Sequence, residues 1–343
     1  MKTLAVVTRG GYVESIHQGF ICVVDSEGRV IYQKGDINTS IFFRSAAKPI
    51  QIIPFIHSGG AQKMGYSLKE IAIACASHTG EVMHQETVLG ILRRLGLNTD
   101  DLHCGIMSPY NHDENKRLIA RNEKPTVLHV SCSGKHAAML AYCRYKGYDI
   151  RTYEKPDHPV QKEILKTLSY FTGEEEDTIA TGTDGCGLPI FMLPIKKIAL
   201  SYARIVQYAQ DRNSEYYEAC KTIFEAMNEY PEMVAGTKEF CTELMQATKG
   251  KLIAKIGAES VYCVGVKDKK LGMCIKIADG GERAVFPVVM EMLLELDVLD
   301  KSEYEKLKHW HRAELLNHRK ENVGDIIPVF RQNDDIYIGQ KIK

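Results

Sequence analysis

Residues 44–51 read Arg-Ser-Ala-Ala-Lys-Pro-Ile-Gln, and they mark the point where the predicted structure changes from strands to helices. Ahead of them, residues 19–24 and 30–33 are apolar runs on either side of Asp25-Ser26-Glu27-Gly28, whose composition suits a tight hairpin turn. Within the stretch, Pro49 suits the first turn of a helix, where its missing N–H costs nothing. The stretch therefore separates an N-terminal β-meander from a helix-rich region.

The helix-rich region extends to about residue 249. Ser67-Leu68-Lys69-Glu70 is a capping box, in which serine and glutamate side chains satisfy the free N–H groups of a helix start. Apolar residues at helical spacing predict further helices. These helices are expected over residues 83–95, 135–145, 159–171, 190–209 and 215–227.

Strand patterns return after residue 250. Residues 261–267 and 273–278 are rich in β-branched side chains and are joined by Asp268-Lys269-Lys270, which predicts a second hairpin. A last helix is expected over residues 284–296, and residues 336–338 are expected to form a closing edge strand.

Strands at both ends with helices between them predict one mixed sheet built from both termini. The expected fold class is mixed α/β, with an antiparallel sheet from the N- and C-terminal segments and a helical region between. We expect a single domain over residues 1–343. Two lobes are possible, with the sheet from about 1–45 and 250–343 and the helix-rich part at about 46–249.

Composition argues against several kinds of partner. The 44 basic residues balance 44 acidic ones, and no stretch is strongly one-signed, so we expect no binding to nucleic acid. No apolar run approaches the roughly 20 residues that cross a bilayer, so no membrane segment is expected. The ten cysteines include no Cys-x-x-Cys pair, which favours free thiols in a reducing, cytoplasmic setting.

Ser45 and Lys48 form the first candidate catalytic pair. Positions i and i+3 at the start of a helix project from the same face, so the lysine amine would lie near the serine hydroxyl. Serine attacks a carbonyl only when a base takes its proton, and lysine serves as that base once burial or a second cation lowers its pKa. The alternative is a simple helix cap at Ser45.

Two further segments suit the opposite side of such a site. Lys255-Ile256-Gly257 precedes a predicted strand, and hydrolases with a Ser-x-x-Lys pair place a Lys-(Thr/Ser)-Gly strand along the site. Ile256 departs from that pattern, and a surface lysine at a strand start is the alternative. The loop Ala76-Ser77-His78-Thr79-Gly80 suits binding of a polar substrate, or equally the capping of a helix end.

Two glycine-bearing loops each contain a cysteine: Ser131-Cys132-Ser133-Gly134-Lys135-His136 and Thr183-Asp184-Gly185-Cys186-Gly187. Two thiolates together with His136 or a neutral Lys135 could hold a tetrahedral metal with one open position. The spacing is not a standard zinc signature. Asp184 suits the α-amino group of an amino-acid substrate, although Asp-Gly is also a common turn.

Seven motifs that include these segments follow one another along nearly the whole chain. They are residues 9–19, 44–51, 76–81, 132–136, 158–161, 183–189 and 255–259. Together they closely resemble the Rhizobium etli-type L-asparaginases, also called the asparaginase II family. Seven motifs in one order are not explained by chance.

The resemblance implies a fold related to serine β-lactamases and glutaminases, a homodimer, and hydrolysis of L-asparagine to aspartate and ammonia. It implies that Ser45 is the nucleophile, Lys48 its activating partner, Ser77 a second active-site serine and Lys255 a more distant lysine, although the sequence leaves open which of the two serines attacks. We expect substrate binding by Asp184, Arg44, His78 and Thr79. The resemblance further implies zinc bound by Cys132, Lys135 and Cys186.

Alternatives to this function remain open. Ser131 stands where the family pattern has asparagine, which alters the hydrogen bonding of that loop. A glutaminase or another β-lactamase-like amidase would use similar machinery, because the two substrates differ by one methylene, worth about 1–3 kcal/mol. A non-catalytic protein that binds an amino acid or a metal is the rival from another class, although a binder has no need of a nucleophile with its base.

Overall fold

The structure is a computed structural model and describes residues 1–332 and 336–342. Within those residues eleven strands form two antiparallel sheets. The strands are β1 (Lys2–Arg9), β2 (Tyr12–Asp25), β3 (Val30–Lys34), β4 (Ser40–Phe42), β5 (Ala180–Thr183), β6 (Pro189–Pro194), β7 (Leu252–Gly257), β8 (Val261–Val266), β9 (Leu271–Ile277), β10 (Ala313–Leu316) and β11 (Asn322–Pro328).

The larger sheet has the strand order β10-β11-β1-β2-β9-β8-β7, with β3 also paired to β2. Its strands come only from the first 34 residues and from residues 252–328, and every pairing is antiparallel. The structure therefore confirms the mixed α/β class with a sheet built from both ends of the chain. The smaller sheet, β4-β6-β5, lies mostly in the helix-rich part.

The predicted turn between β2 and β3 is confirmed. Asp25 Oδ1 accepts hydrogen bonds from the backbone N–H groups of Glu27, at 3.0 Å, and Arg29, at 2.9 Å. Gly28 has a φ of +81°, a left-handed conformation that glycine adopts without a steric penalty. Local side-chain chemistry thus fixes this hairpin.

Helices fill the region between the two parts of the sheet and follow it. None in the described part is long and apolar enough to span a bilayer. They are α1 (Lys48–Gln51), α2 (Ile53–His57), α3 (Gly60–Lys63), α4 (Leu68–Ala74), α5 (Val82–Arg94), α6 (His112–Ala120), α7 (Ser133–Lys146), α8 (Pro159–Thr172), α9 (Ile195–Tyr208), α10 (Tyr217–Glu229), α11 (Pro231–Val234), α12 (Phe240–Thr248), α13 (Val285–Glu295) and α14 (Lys301–His311).

The core lies between the larger sheet and its helices. All six residues of β8 are buried, so both faces of the sheet are covered there. Helix α9 packs against β2, β8 and β9, and α13 contacts β1, β8, β9 and β11. Gly272 permits the first of these contacts, because an added Cβ would lie 1.9 Å from the Ala199 carbonyl oxygen.

Two sequence-based expectations about secondary structure were wrong. Residues 190–209 are not one helix: the first part belongs to β6, which pairs with β4 and β5, and only the second part is α9. Tertiary strand pairing overrides the helical spacing there. Residues 336–338 form no strand; the C-terminal segment instead makes an isolated bridge between Tyr12 and Lys341.

Candidate active site

Ser77 is contacted by two buried lysines that lie far apart in the sequence. Lys255 Nζ lies 2.7 Å from Ser77 Oγ, and Lys48 Nζ lies 3.1 Å from the same oxygen. Lys48 and Lys255 are almost completely buried. The hydroxyl of Ser77 therefore lies between two amines, one of which must be neutral to accept its proton.

Burial, and next the positive charge of Lys48, lower the pKa of Lys255 to about 7. An exposed lysine titrates near 10.4 and is a base only in strongly alkaline solution. At neutral pH a substantial fraction of Lys255 is thus an unprotonated amine within hydrogen-bond distance of a serine. That arrangement is the chemical requirement for a lysine base.

Close packing of β7 against the turn that carries Ser45 brings Lys255 to this position. Gly257 ends β7, and a Cβ added to it would lie 3.0 Å from the Phe43 carbonyl oxygen and 3.1 Å from the Ala46 nitrogen. A Cβ here would crowd both backbones, which favours glycine at this close approach. The Lys255-Ile256-Gly257 segment therefore runs along the site. Ile256, which departs from the Lys-(Thr/Ser)-Gly pattern, lines the cavity.

Ser45 lies in a 3₁₀ turn over Arg44–Ala47, immediately before α1. The Lys48 amine donates to the Ala76 carbonyl oxygen, to Ser77 Oγ and, at 3.5 Å, to the Ser131 carbonyl oxygen. Within the described residues no hydrogen bond joins it to Ser45. Lys48 thus contacts the second active-site serine, while Ser45 faces the same cavity from another wall.

The capping box predicted at Ser67 is confirmed and begins α4, after which the chain enters the loop that contains Ser77. The Ser77 N–H donates to the Val234 carbonyl oxygen at 2.9 Å. Gly80 has a φ of +83°, and an added Cβ would lie 2.9 Å from Pro109. This loop is therefore held on both sides by parts of the chain that are distant in sequence.

His78 is fully buried and lies outside the described residues that line the cavity. Its Nε2 lies 2.9 Å from Ser133 Oγ, and its Nδ1 accepts the Gly80 N–H at 3.2 Å. Burial holds the pKa of His78 well below its usual range, so the ring is neutral. The His78 imidazole thus holds the loop that contains Ser77 in place without contacting the cavity. Thr79, by contrast, lines the cavity.

Arg44 and Asp184 are brought together as an ion pair. Arg44 Nη2 and Nε donate to Asp184 Oδ1 at 2.9 and 3.2 Å. Although burial opposes it, the charges of Lys135 and Arg44 lower the pKa of Asp184. Arg44 has a φ of +52°, a strained conformation of the kind that clusters at functional sites. Neither side chain is among the described residues that line the cavity.

Cys132, Lys135 and Cys186 come together at the start of α7, and all three are buried. The side chains of these three residues are close enough to shift one another's pKa. Hydrogen bonding to Cys186, followed by the charges of Lys48 and Lys135, lowers the pKa of Cys132 well below its usual range. Three donors suited to a soft divalent metal thus converge beside Lys48.

Lysine is an uncommon metal ligand. Among histidine, cysteine, aspartate and glutamate, the described residues contain no group of three or more that could hold a metal ion. Any metal at this position would therefore need the Lys135 amine. The chemistry of the two thiols and the amine fits zinc with one open position.

A cavity of about 300 Å³ has Ser45, Ser77, Thr79 and Ser131 on its wall. Sequence reasoning missed most of its wall. The lining residues are Ser45, Ser77, Thr79, Tyr110, Ser131, Ala235, Glu239, Phe240, Cys241, Ile256, Gly257, Ala258, Glu282 and Phe286. The aromatic and acidic members belong to no motif with a recognisable spacing, so only the folded chain reveals them.

Comparisons with known proteins agree with the ordered motifs. The sequence model of the L-asparaginase II family matches residues 5–328. No curated protein sequence matches the chain.

Two solved structures are similar at low identity. A putative β-lactamase from Bacteroides dorei is 12% identical, with a TM-score of 0.43 over 80% of this chain and 93% of that chain. A β-lactamase from Mycobacterium bovis is 12% identical, with a TM-score of 0.44 over 82% and 95%. Likenesses at this level carry no argument about this chain.

The family match spans nearly all of the chain and defines its class as that of the amide-hydrolysing enzymes. The chain belongs to the L-asparaginase II family. This confirms the resemblance that the seven motifs indicate.

Proposed function

We propose that this protein hydrolyses the side-chain amide of L-asparagine to aspartate and ammonia, with Ser77 as the nucleophile and Lys255 as its base. The observation that carries the proposal is the 2.7 Å contact between Ser77 Oγ and a lysine whose pKa is about 7. This choice differs from the sequence-based expectation of Ser45, because Lys48 hydrogen bonds to Ser77 and not to Ser45.

The reaction begins when the neutral amine of Lys255 takes the proton of Ser77. Ser77 Oγ then forms a bond to the side-chain carbonyl carbon of asparagine, and the carbonyl oxygen becomes an oxyanion. As the C–N bond breaks, the Lys255 ammonium returns a proton to the leaving nitrogen, and ammonia departs. A serine ester of aspartate remains.

Water then hydrolyses that ester. Lys255 is neutral again after ammonia leaves and accepts a proton from the attacking water, and aspartate is released with a regenerated Ser77. Lys48 supports both halves of the reaction, since its charge lowers the pKa of Lys255 and its hydrogen bond orients Ser77 Oγ. Ser45 lines the same cavity, and we assign it contact with the substrate amide.

Ammonia release from L-asparagine and from L-glutamine tests the proposed function. We expect kcat/KM to be about 10- to 100-fold larger for asparagine, because one additional methylene displaces the amide from Ser77. Equal or better turnover of glutamine would favour the glutaminase alternative. Tight binding of either amino acid with no ammonia released would favour the non-catalytic alternative.

We further propose that zinc binds at Cys132, Lys135 and Cys186. The three donors are buried and close enough to shift one another's pKa, which supports the assignment. When bound, zinc would supply a rigid link between the start of α7 and the turn that contains Asp184. Although burial favours the neutral amine, the charges of Cys186 and Cys132 raise the pKa of Lys135, so ligation must release a proton.

Zinc affinity is therefore expected to increase with pH. Calorimetric titration of zinc in buffers of different ionisation enthalpy should show proton release on binding, and elemental analysis should find about one zinc per chain. Cys186→Ala should lose the metal, whereas Cys220→Ala, at a buried cysteine in α10, should retain it. Equal zinc content in both variants would rule out this ligand set.

A homodimer and a cytoplasmic location complete the proposal. All ten cysteines are free and buried, which supports a reducing compartment. The homodimer rests on the family resemblance, and light scattering after size-exclusion chromatography should give twice the chain mass of 38.6 kDa. A monomer at micromolar concentration would contradict the proposed homodimer.

A further inference from the structure

Two carboxylates add negative charge to the wall of the catalytic cavity, whose positive charge comes from the lysines that contact Ser77. Glu239 and Glu282 both line it, and neither makes an ion pair with another described residue. Their basic neighbours in sequence, Lys238 and Arg283, are not among the described lining residues, and Arg283 Nε instead donates to His17 Nε2 at 2.9 Å. Among the described residues that line the cavity, the charged side chains are therefore both carboxylates.

The pKa of Glu239 reflects this negative charge. Partial desolvation at the cavity wall raises that pKa, and the carboxylates of Glu282, Glu81 and Glu243 raise it further. A cation that enters the cavity would relieve this repulsion, whereas a second anion would increase it. The α-ammonium group of an amino acid is such a cation, but the α-carboxylate of a free amino acid is such an anion.

Part of the remaining wall is apolar, and the cavity is larger than free asparagine needs. Phe240 and Phe286 lie with ring centroids 4.9 Å apart, and the exposed ring of Tyr110 lies on the same cavity. Cavities of about 300 Å³ and more hold drug-sized ligands, of which a free amino acid is only a fraction. Asparagine itself has no apolar group that would occupy an aromatic wall.

We infer that the site also accepts asparagine at the N-terminus of a short peptide with an apolar second residue, and hydrolyses its side-chain amide. The peptide bond makes the asparagine carboxyl group neutral and moves the carboxylate charge to the end of the peptide, farther from Glu239 and Glu282, while the free α-ammonium group is retained. The apolar second side chain lies on Phe286 and Tyr110. The inference rests on the proposed asparaginase chemistry and extends its substrate class.

The additional reaction needs water alone as co-reactant. Ser77 Oγ forms a bond to the side-chain carbonyl carbon, the C–N bond breaks, and ammonia leaves with a proton from Lys255. Water then splits the serine ester. The peptide bond remains intact, so the products are an aspartyl peptide and one ammonia.

Three substrates with the same side-chain amide separate the two charges. They are L-asparagine, the dipeptide Asn-Leu, in which the carboxylate charge is moved from the asparagine to the leucine, and N-acetyl-L-asparagine, which lacks the α-ammonium charge. Ammonia is measured, and mass spectrometry checks that the dipeptide product is Asp-Leu. We expect kcat/KM for Asn-Leu to be at least that for asparagine, and kcat/KM for N-acetylasparagine to be about 10- to 100-fold lower.

The outcomes separate this inference from the proposed function. If the enzyme hydrolyses asparagine but kcat/KM for Asn-Leu is less than about a tenth of kcat/KM for asparagine, the inference is overturned and the proposed function stands. Absence of ammonia from both asparagine and Asn-Leu would overturn the proposed function as well. Turnover of N-acetylasparagine as efficient as that of Asn-Leu would contradict the assigned role of the negative charge.

Variants of the wall test which residues carry the preference. The double variant Glu239→Gln/Glu282→Gln changes two exposed positions, so it should keep the fold. In this variant the ratio of kcat/KM for Asn-Leu to kcat/KM for N-acetylasparagine should fall about tenfold or more. Phe286→Leu should lower kcat/KM for Asn-Leu more than for asparagine. Glu27→Gln, in the exposed β2–β3 turn, is the matched control and should change neither ratio. An unchanged ratio in the double variant would overturn the proposal.

Discussion

Ser77→Ala is expected to lower kcat for ammonia release from L-asparagine by about 10,000-fold or more, because removal of a nucleophile leaves only binding and electrostatic stabilisation. Ser77 Oγ is the atom on which Lys48 and Lys255 converge. Its replacement leaves no oxygen that can form the serine ester. Loss of one small hydroxyl should preserve the fold, which circular dichroism can verify.

Ser45→Ala is the matched comparison, since both serines line the same cavity. A hydroxyl that only contacts the substrate amide contributes less than a nucleophile, so we expect a loss of about 100-fold. Mass spectrometry of enzyme quenched during turnover should find the aspartyl ester on a peptide that contains Ser77. An ester on Ser45, or a larger loss in Ser45→Ala, would assign the attack to the Ser45–Lys48 pair.

Lys255→Met should eliminate nearly all activity and yet stabilise the fold. Methionine has a similar unbranched shape but no amine, so Ser77 loses its base and kcat should fall by about 1,000-fold or more. In the wild type, kcat/KM should rise with pH through about 7, because only neutral Lys255 accepts the serine proton. The range from pH 6 to 8 covers about one unit on each side of this pKa. If kcat/KM does not change across that range, Lys255 is not the base.

The gain in stability follows from the lowered pKa of Lys255. In the unfolded chain lysine titrates near 10.5, and in the folded chain Lys255 titrates at about 7. Between these values the unfolded chain binds more protons, so the stability of the wild type increases with pH through this window, and below it the full burial cost applies. That cost is on the order of 5 kcal/mol.

Removing the amine should therefore stabilise the protein by about 1–4 kcal/mol at pH 7, after the loss of its hydrogen bonds to Ser77 and Ile256. Chemical denaturation at several pH values measures the difference in the free energy of unfolding. The advantage of Lys255→Met over the wild type should shrink between pH 7 and pH 10. A variant that is less stable at neutral pH would show that the buried amine costs little.

Motifs with local geometry were predictable from the sequence. The Ser67 capping box and the turn after Asp25 are each specified by residues within a few positions, and both are confirmed. The strands of the larger sheet were partly predictable because their apolar patterns are strong. Residues 190–194 were not, since their strand depends on pairing with β4 and β5, which no local pattern encodes.

The candidate site was predictable only in part for the same physical reason. Ser77 and Lys255 were each identified as candidates, but their contact spans 178 positions and depends on the packing of β7 against the Ser45 turn. The acidic and aromatic wall residues Glu239, Glu282 and Phe286 follow from no spacing rule. They belong to the site because two segments that are distant in sequence, at residues 239 and 282–286, pack together there.

The strand order of the larger sheet determines when the catalytic contact can form during synthesis. Lys255 lies on β7, which is linked to β2 only through β8 and β9. The ribosome must therefore release residues up to Ile277 before this base can be fixed beside Ser77. Long-range strand pairing of this kind forms late in folding. Under the proposed mechanism, an unfinished chain would thus carry the nucleophile without its base until the last of these strands is made.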